Sequence, residues 1–212
     1  EDVEYLANRM TMLLAAPGQY LPRTLPSTQD DTRILSGMPY IHYSPGVPAE
    51  DGLEEEIEAV SHFADSLALM SKSYEGYQVY FYAGSRKGYM LCLDINPDGQ
   101  GNVLPDGEAR EEMLSGFDPR ERPWYKTGAQ ATGVTFSKPY LGVDGHLNID
   151  CVAPYADAEG FAGVAGIGFD VEEVYRQIAH ALADDSGANF VLDDGGDVVL
   201  SSLPSGILAA VP

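Results

Sequence analysis

An α+β domain, with a long helix ahead of a five-stranded antiparallel sheet, is what this sequence predicts. Three observations point to it: a helical apolar stripe at the N-terminus, tyrosine-rich and β-branched runs arranged as hairpins through the middle, and a further helical stripe after the last run. With 212 residues, 44% of them apolar and 10% aromatic, the chain can bury a sizeable core and is too apolar for wholesale disorder.

Val3, Leu6, Met10 and Leu13 recur at spacings of three and four and mark a first helix, ended by Pro17 and Gly18. Residues 17–52 are rich in Pro, Gly, Ser and Asp and read as irregular wrapping chain. A second helix is expected near 52–72, with Leu53, Ile57, Val60, Ala64 and Leu67 as its stripe. YQVYFYA (77–83) and GYMLCLDI (88–95) flank a Ser-Arg-Lys turn and predict a hairpin. An irregular segment with short helical stretches spans about 96–132. The runs VTFSKPYL (134–141), LNIDCVAPYA (147–156) and FAGVAGIGFD (161–170) follow, linked by Val143-Asp144-Gly145 and by Asp157–Gly160, and imply a meander. The helices are expected on one side of this sheet.

A helix from Val171 to Ala183 then carries Val171, Val174, Ile178 and Leu182 on one face and stops at Gly187. NFVLDD and DVVLSS, joined at Gly195-Gly196, open another hairpin over 189–202. The chain thus divides into an N-terminal helical segment and wrapping loop (1–72), a sheet domain with its connecting helix (73–183), and the start of a second, truncated domain (184–212). It opens inside a helical pattern and stops at LAAVP without a closing element, so it reads as part of a longer protein.

Charge and motif content exclude several classes. The net charge of −21 repels phosphate backbones and anionic headgroups, which argues against nucleic acid as a partner. No stretch reaches the roughly 20 apolar residues of a membrane-spanning helix. Cys92 and Cys151 each sit inside an apolar run and read as small buried side chains, and His42, His62, His146 and His180 are too scattered for a zinc pattern. Asp94-Ile95-Asn96-Pro97-Asp98-Gly99 has the first half of a calcium loop, but Pro105 stands where the bidentate carboxylate belongs, so it reads as a strand-exit turn. No metal or cofactor is expected. A hydrolase using Asp94 and Asp98 lacks a nucleophile–base pair or phosphate loop to support it, so the chain is not expected to be an enzyme.

The segment Phe117-Asp118-Pro119-Arg120-Glu121-Arg122-Pro123-Trp124-Tyr125-Lys126 carries the most chemistry, with the lone tryptophan directly after the second of two stiffening prolines. A guanidinium, an indole N–H and a phenol within four positions suit a carboxylate ligand. The same residues also suit a structural role, in which Arg122 pairs with Glu121 or Asp118 and Trp124 fills the core.

FDPRERPWYKTG, TFSKPYLGVDGHLNIDCVAPYADAEG and GVAGIGFDVEEV closely resemble the Cache family of PAS-like extracytoplasmic sensors in its double form, over about residues 75–175. The resemblance implies a PAS-like sheet domain distal to a membrane, a smaller PAS-like domain proximal to it, and a parent such as a chemoreceptor or a sensor histidine kinase of a two-component system. It further implies an anchored protein whose sensing part is extracytoplasmic, and in which the long N-terminal helix could pair two copies. The family's amino-acid-binding subset has an Arg-x-Trp-Tyr cluster, a later Tyr and an Asp at the end of the last strand. Arg122, Trp124, Tyr125, Tyr140 and Asp170 match these.

The resemblance implies that Arg122 and Trp124 hold a ligand carboxylate, while Asp170, with Tyr125 and Tyr140, takes its ammonium. Asp170 also stands where a helix N-cap would. The leading tyrosine of the pattern is Phe117 here, which removes one donor and costs about 1.5–3 kcal/mol if nothing replaces it. The expected ligand is a small molecule, an amino acid first. An amine, a carboxylate or a nucleobase is the alternative, and a ligand-free dimerisation module is another.

Overall fold

Helix α1 (Asp2–Ala15) forms on the predicted stripe and buries Val3, Leu6, Ala7, Met10 and Leu13. Asp2 and Glu4 in its first turn oppose the positive end of the helix dipole. A computed structural model describes residues 1–30, 33–47, 53–96, 103–105, 107–175, 190–192, 195–196 and 198–201. The second predicted helix is two helices, α2 (Leu53–Val60) and α3 (Phe63–Ser71). The break falls at Ser61, whose hydroxyl donates to the Glu58 carbonyl at 2.7 Å and accepts from the Arg23 N–H at 3.0 Å. Such back-bonding competes with the helical ladder.

The sheet holds seven strands, not five. They are β1 (Tyr40–Tyr43), β2 (Val79–Ser85), β3 (Tyr89–Ile95), β4 (Thr135–Phe136), β5 (Tyr140–Leu141), β6 (Leu147–Asp157) and β7 (Gly160–Asp170), in the order β1-β3-β2-β7-β6-β4 with β5 also on β6. All these pairings are antiparallel. Two local causes explain the count. Tyr40–Tyr43 is an edge strand of four residues hidden in Pro/Gly-rich chain, and its outer side is tied by Thr28 N–H to Ile41 O and Ile41 N–H to Pro26 O, both at 2.9 Å. The run predicted over 134–141 is split around Ser137-Lys138-Pro139, since proline has no N–H for a ladder.

The helices do not lie on one side. β2, β3 and β7 are buried almost throughout, so both of their faces need cover. On one face Val79, Phe81, Leu91, Leu93 and Ile167 pack with Leu6, Met10, Phe63 and Leu67 from α1 and α3. Each such fully buried side chain contributes about 1.5–3 kcal/mol over an exposed one. The other face receives α5 (Pro123–Gln130), whose Trp124 and Tyr125 join Tyr40, Tyr82, Cys92, Val152 and Val164 in a second apolar cluster. A short helix, α4 (Glu108–Met113), precedes α5 in sequence.

Residues 171–175 begin the helix expected after β7; its continuation to Ala183 lies outside the described residues. The expected hairpin is present as β8 (Phe190–Leu192) and β9 (Val198–Ser201), antiparallel, with Gly196 in the left-handed region at φ 87. The remainder of the predicted second domain, through 212, lies outside the described residues. Cys92 and Cys151 are free thiols within β3 and β6.

Candidate binding site

Strand geometry sends alternate side chains to opposite faces. The even-numbered residues of β1, β2, β3 and β6 share the face opposite α1, and there Tyr40, His42, Tyr80, Tyr82, Met90, Cys92, Asp94, Asn148 and Asp150 line a cavity of about 130 Å³. Thr28, Val103, Leu104, Met113, Leu114, Phe117, Arg122, Trp124 and Tyr140 close over it, and Gly142, Val143 and Asp144 form part of its wall from the β5–β6 turn.

Glycines make the room. On the same face of β7 stand Gly166 and Gly168, where a Cβ would come 2.4 Å from the Tyr82 ring and 2.5 Å from Asp150 Oδ1 respectively. Gly84 and Gly128 let α5 approach: a Cβ on the first would meet Trp124 at 2.7 Å, and on the second Val164 at 2.3 Å. Trp124 is thereby pressed onto the sheet, its ring 4.4 Å from that of Tyr82. Gly142 is needed as well, since a Cβ there would lie 2.4 Å from Asp144 Oδ1 and 2.6 Å from Asn148 Nδ2.

The Phe117–Lys126 segment assigns its charges locally. Asp118 accepts from the Arg120 backbone N–H at 2.9 Å and from its guanidinium at 2.5–3.1 Å, which holds the Asp118 carboxyl below its usual range. Glu121 pairs with Lys126 at 2.7 Å. Both acids that could have claimed Arg122 are therefore taken. Arg122 caps the turn before Pro123, donates to the Leu141 carbonyl at 2.8 Å, and lies over the rings of Phe117 and Tyr140 at 5.8 and 5.4 Å. Among the described residues it forms no ion pair. His42 anchors this segment to β1: its Nε2 bonds the Phe117 carbonyl at 3.1 Å and its Nδ1 the Thr28 hydroxyl at 2.9 Å. A carbonyl can only accept, so Nε2 carries the proton. Burial lowers the pKa of His42 and favours that neutral ring.

Two acids sit in the walls. Tyr40 donates to Asp94 Oδ2 at 2.6 Å, and burial, opposed by that bond and reinforced by the charge of Asp144, pushes the Asp94 carboxyl up to about 7. Asp150 accepts from Tyr82 and from the Ser137 hydroxyl at 3.2 Å. Burial raises its pKa, while bonds from Tyr82, Tyr140 and Ser137 and the charge of Arg122 act against the rise. The Asn148 side-chain carbonyl is buried and has no hydrogen-bond partner.

Of the six residues singled out from sequence, Phe117, Arg122, Trp124 and Tyr140 line the cavity together. Tyr125 does not; it packs edge-on to Trp124 and Phe161, with ring separations of 5.5 and 6.1 Å, and burial pushes its hydroxyl to about 12. Asp170 does not line it either. Its Oδ1 accepts the N–H groups of Glu172 and Glu173 at 2.7 and 3.1 Å, and its Oδ2 meets His146 Nδ1 at 2.7 Å. A helix start with its own N–H donors competes for that carboxylate, and the capping role accounts for it. Arg122 and Asp170 thus do not face each other across the hollow. Asp94, Asp150 and Asn148 were not singled out as binding residues; the available signal was an acid or amide inside an apolar strand run, in YMLCLD and LNIDCV. No group of three or more metal-ligating side chains forms among the described residues.

The fold is α+β, an N-terminal helix and an antiparallel sheet with a polar hollow on one face. No family model matches the sequence. The chain is 30% identical over 103 residues to the methyl-accepting chemotaxis protein McpG of Pseudomonas putida, covering 49% of this chain and 16% of McpG. It is 29% identical over 120 residues to the methyl-accepting chemotaxis protein PscA of Pseudomonas syringae, covering 56% of this chain and 17% of PscA. The chain thus spans about a sixth of the length of these curated relatives. Among solved structures, the ligand-binding domain of the Pseudomonas fluorescens chemoreceptor CtaA with L-isoleucine is 26% identical, at a TM-score of 0.42, over 64% of this chain and 50% of that one. That of the Pseudomonas aeruginosa chemoreceptor PctB with L-Gln is 24% identical, at a TM-score of 0.41, over 56% and 43%.

Proposed function

We propose that this chain is the extracytoplasmic ligand-sensing domain of a membrane-anchored chemoreceptor and that it binds an amino acid in the cavity between the sheet and α5. The observation that carries this reading is the pairing of opposite chemistries inside one hollow. Arg122 has donors to spare after its bond to Leu141, and Asp150 has a lone pair to spare after its bonds from Tyr82, Tyr140 and Ser137. A zwitterion satisfies both: its carboxylate meets the guanidinium beside Phe117 and Tyr140, and its ammonium meets Asp150. Aromatic walls from Tyr82, Trp124 and Tyr140 cover its body. The sequence likeness to methyl-accepting chemotaxis proteins supports the sensor role. No helix among the described residues is long and apolar enough to cross a membrane.

Ligand energy becomes a signal only through a difference between two arrangements of the domain. The segment carrying Phe117 to Trp124 closes over the cavity, and the helix starting at Val171 leads away from the sheet, which makes these the elements to transmit a shift.

Thermal melting with the common amino acids tests the proposal. A binder present at a hundredfold excess over its dissociation constant adds about 2.7 kcal/mol. For a chain of this size that raises the midpoint by about 5–10 °C. Arg122→Ala is expected to weaken binding by about 1.5–3 kcal/mol, tenfold or more in affinity. If no amino acid moves the midpoint of the folded wild-type chain, the amino-acid reading fails.

A further inference from the structure

We infer that the preferred amino acid carries a second cationic centre on its side chain, as lysine, ornithine and arginine do. The inference rests on amino-acid binding at this same cavity and specifies which chemistry the side-chain end selects.

The lining is unbalanced. Asp94, Asp144 and Asp150 face the hollow, against the single guanidinium of Arg122. Two of these acids are separate poles. The register places Asp94 opposite Tyr80, Tyr80 opposite Gly168, and Gly168 opposite Asp150, one row running across β3, β2, β7 and β6. Three strand spacings put their Cα positions about 14 Å apart. One ammonium cannot touch both.

The Asp150 pole is already suited to the main-chain ammonium. Asn148, two residues away on the same strand face, is 7% exposed, lines the cavity, and its side-chain carbonyl has no donor. A buried acceptor left open is destabilising, and an N–H from the ligand relieves it. Among the described residues no cation pairs with Asp94. Its side-chain donor is the neutral hydroxyl of Tyr40, and the charge of Asp144 acts on it as a like one. A side-chain ammonium or guanidinium reaching along the row from Asp150 supplies the missing charge.

Titration calorimetry on the chain with L-lysine, L-ornithine, L-leucine and putrescine tests this. Lysine and ornithine are expected to bind at least about tenfold more tightly than leucine. Asp94→Asn is expected to remove that preference, bringing the lysine and leucine affinities within about threefold of each other. Leucine binding as tightly as lysine overturns the inference and leaves amino-acid sensing standing. Putrescine binding with no response to any amino acid overturns both. The wild-type ligand comparison decides the matter even if the Asp94 variant fails to fold.

Discussion

The Asp94 carboxyl shows how a single buried group couples this domain to pH. Its pKa of about 7 in the fold exceeds the ordinary aspartate value near 4. Between those values the folded chain holds a proton that the unfolded chain has released, so stability falls as pH rises through this window. Above about 7 the whole cost is present, up to about 4 kcal/mol. Asp94→Asn removes the titration but keeps an acceptor for Tyr40. It is expected to be more stable than the wild type at pH 8, with the gap shrinking to about a third by pH 5, in denaturant unfolding at both values. A gap independent of pH would remove Asp94 as its source. Also at this scale, Phe117, Arg122 and Trp124 were legible because their chemistry is concentrated in one short motif, while Tyr140 was reached only through the family resemblance. Asp94, Asn148 and Asp150 were not, because a polar residue in a strand reveals its face only once the neighbouring strand's register is known.

Among the elements, β7 bears most directly on the shape of the site. It contributes no charged side chain to the cavity; its service is to be absent there. Gly168→Ala places a methyl group against Asp150 Oδ1, which accepts from Tyr82, while Ser137 donates to Oδ2 and holds the carboxylate in place. Overpacking of this kind costs about 1–3 kcal/mol, and displacement of Asp150 is expected to weaken ligand binding as well. Gly133→Ala is the matched control: a Cβ there meets nothing within 4 Å, and stability is expected to stay within about 0.5 kcal/mol. Denaturant melts and calorimetry on the pair check both outcomes, and equal behaviour of the two variants would refute the account of β7. The hairpins β2–β3 and β6–β7 were readable from alternation and turn residues. The four-residue β1 and the break between β4 and β5 were not, because short edge strands owe their place to partners instead of to their own periodicity.

At the scale of the whole molecule the sheet separates two functions. One face packs α1 and α3 and supplies stability; the other carries the hollow, α5 and the polar walls. Met10→Ala, fully buried on the first face, is expected to cost about 2–5 kcal/mol while leaving the dissociation constant nearly unchanged. Chemical unfolding and calorimetry together test it, and a large loss of affinity in a still-folded variant would show that the two faces are coupled. The net charge of −21 belongs to this scale too, since such a field draws cations toward the surface.

By itself the sequence determined the kinds of element and most of their order, the antiparallel α+β class, and the Arg122 cluster. Those are written in periodicities and turn residues that act over a few positions. Only the tertiary structure decided that Asp94 and Asp150 end one row of the sheet, that Arg122 escapes its neighbouring acids, and that Asp170 serves a helix start and His146. Each of these depends on strand register and on which donor wins a given carboxylate, and both are settled between segments far apart along the chain.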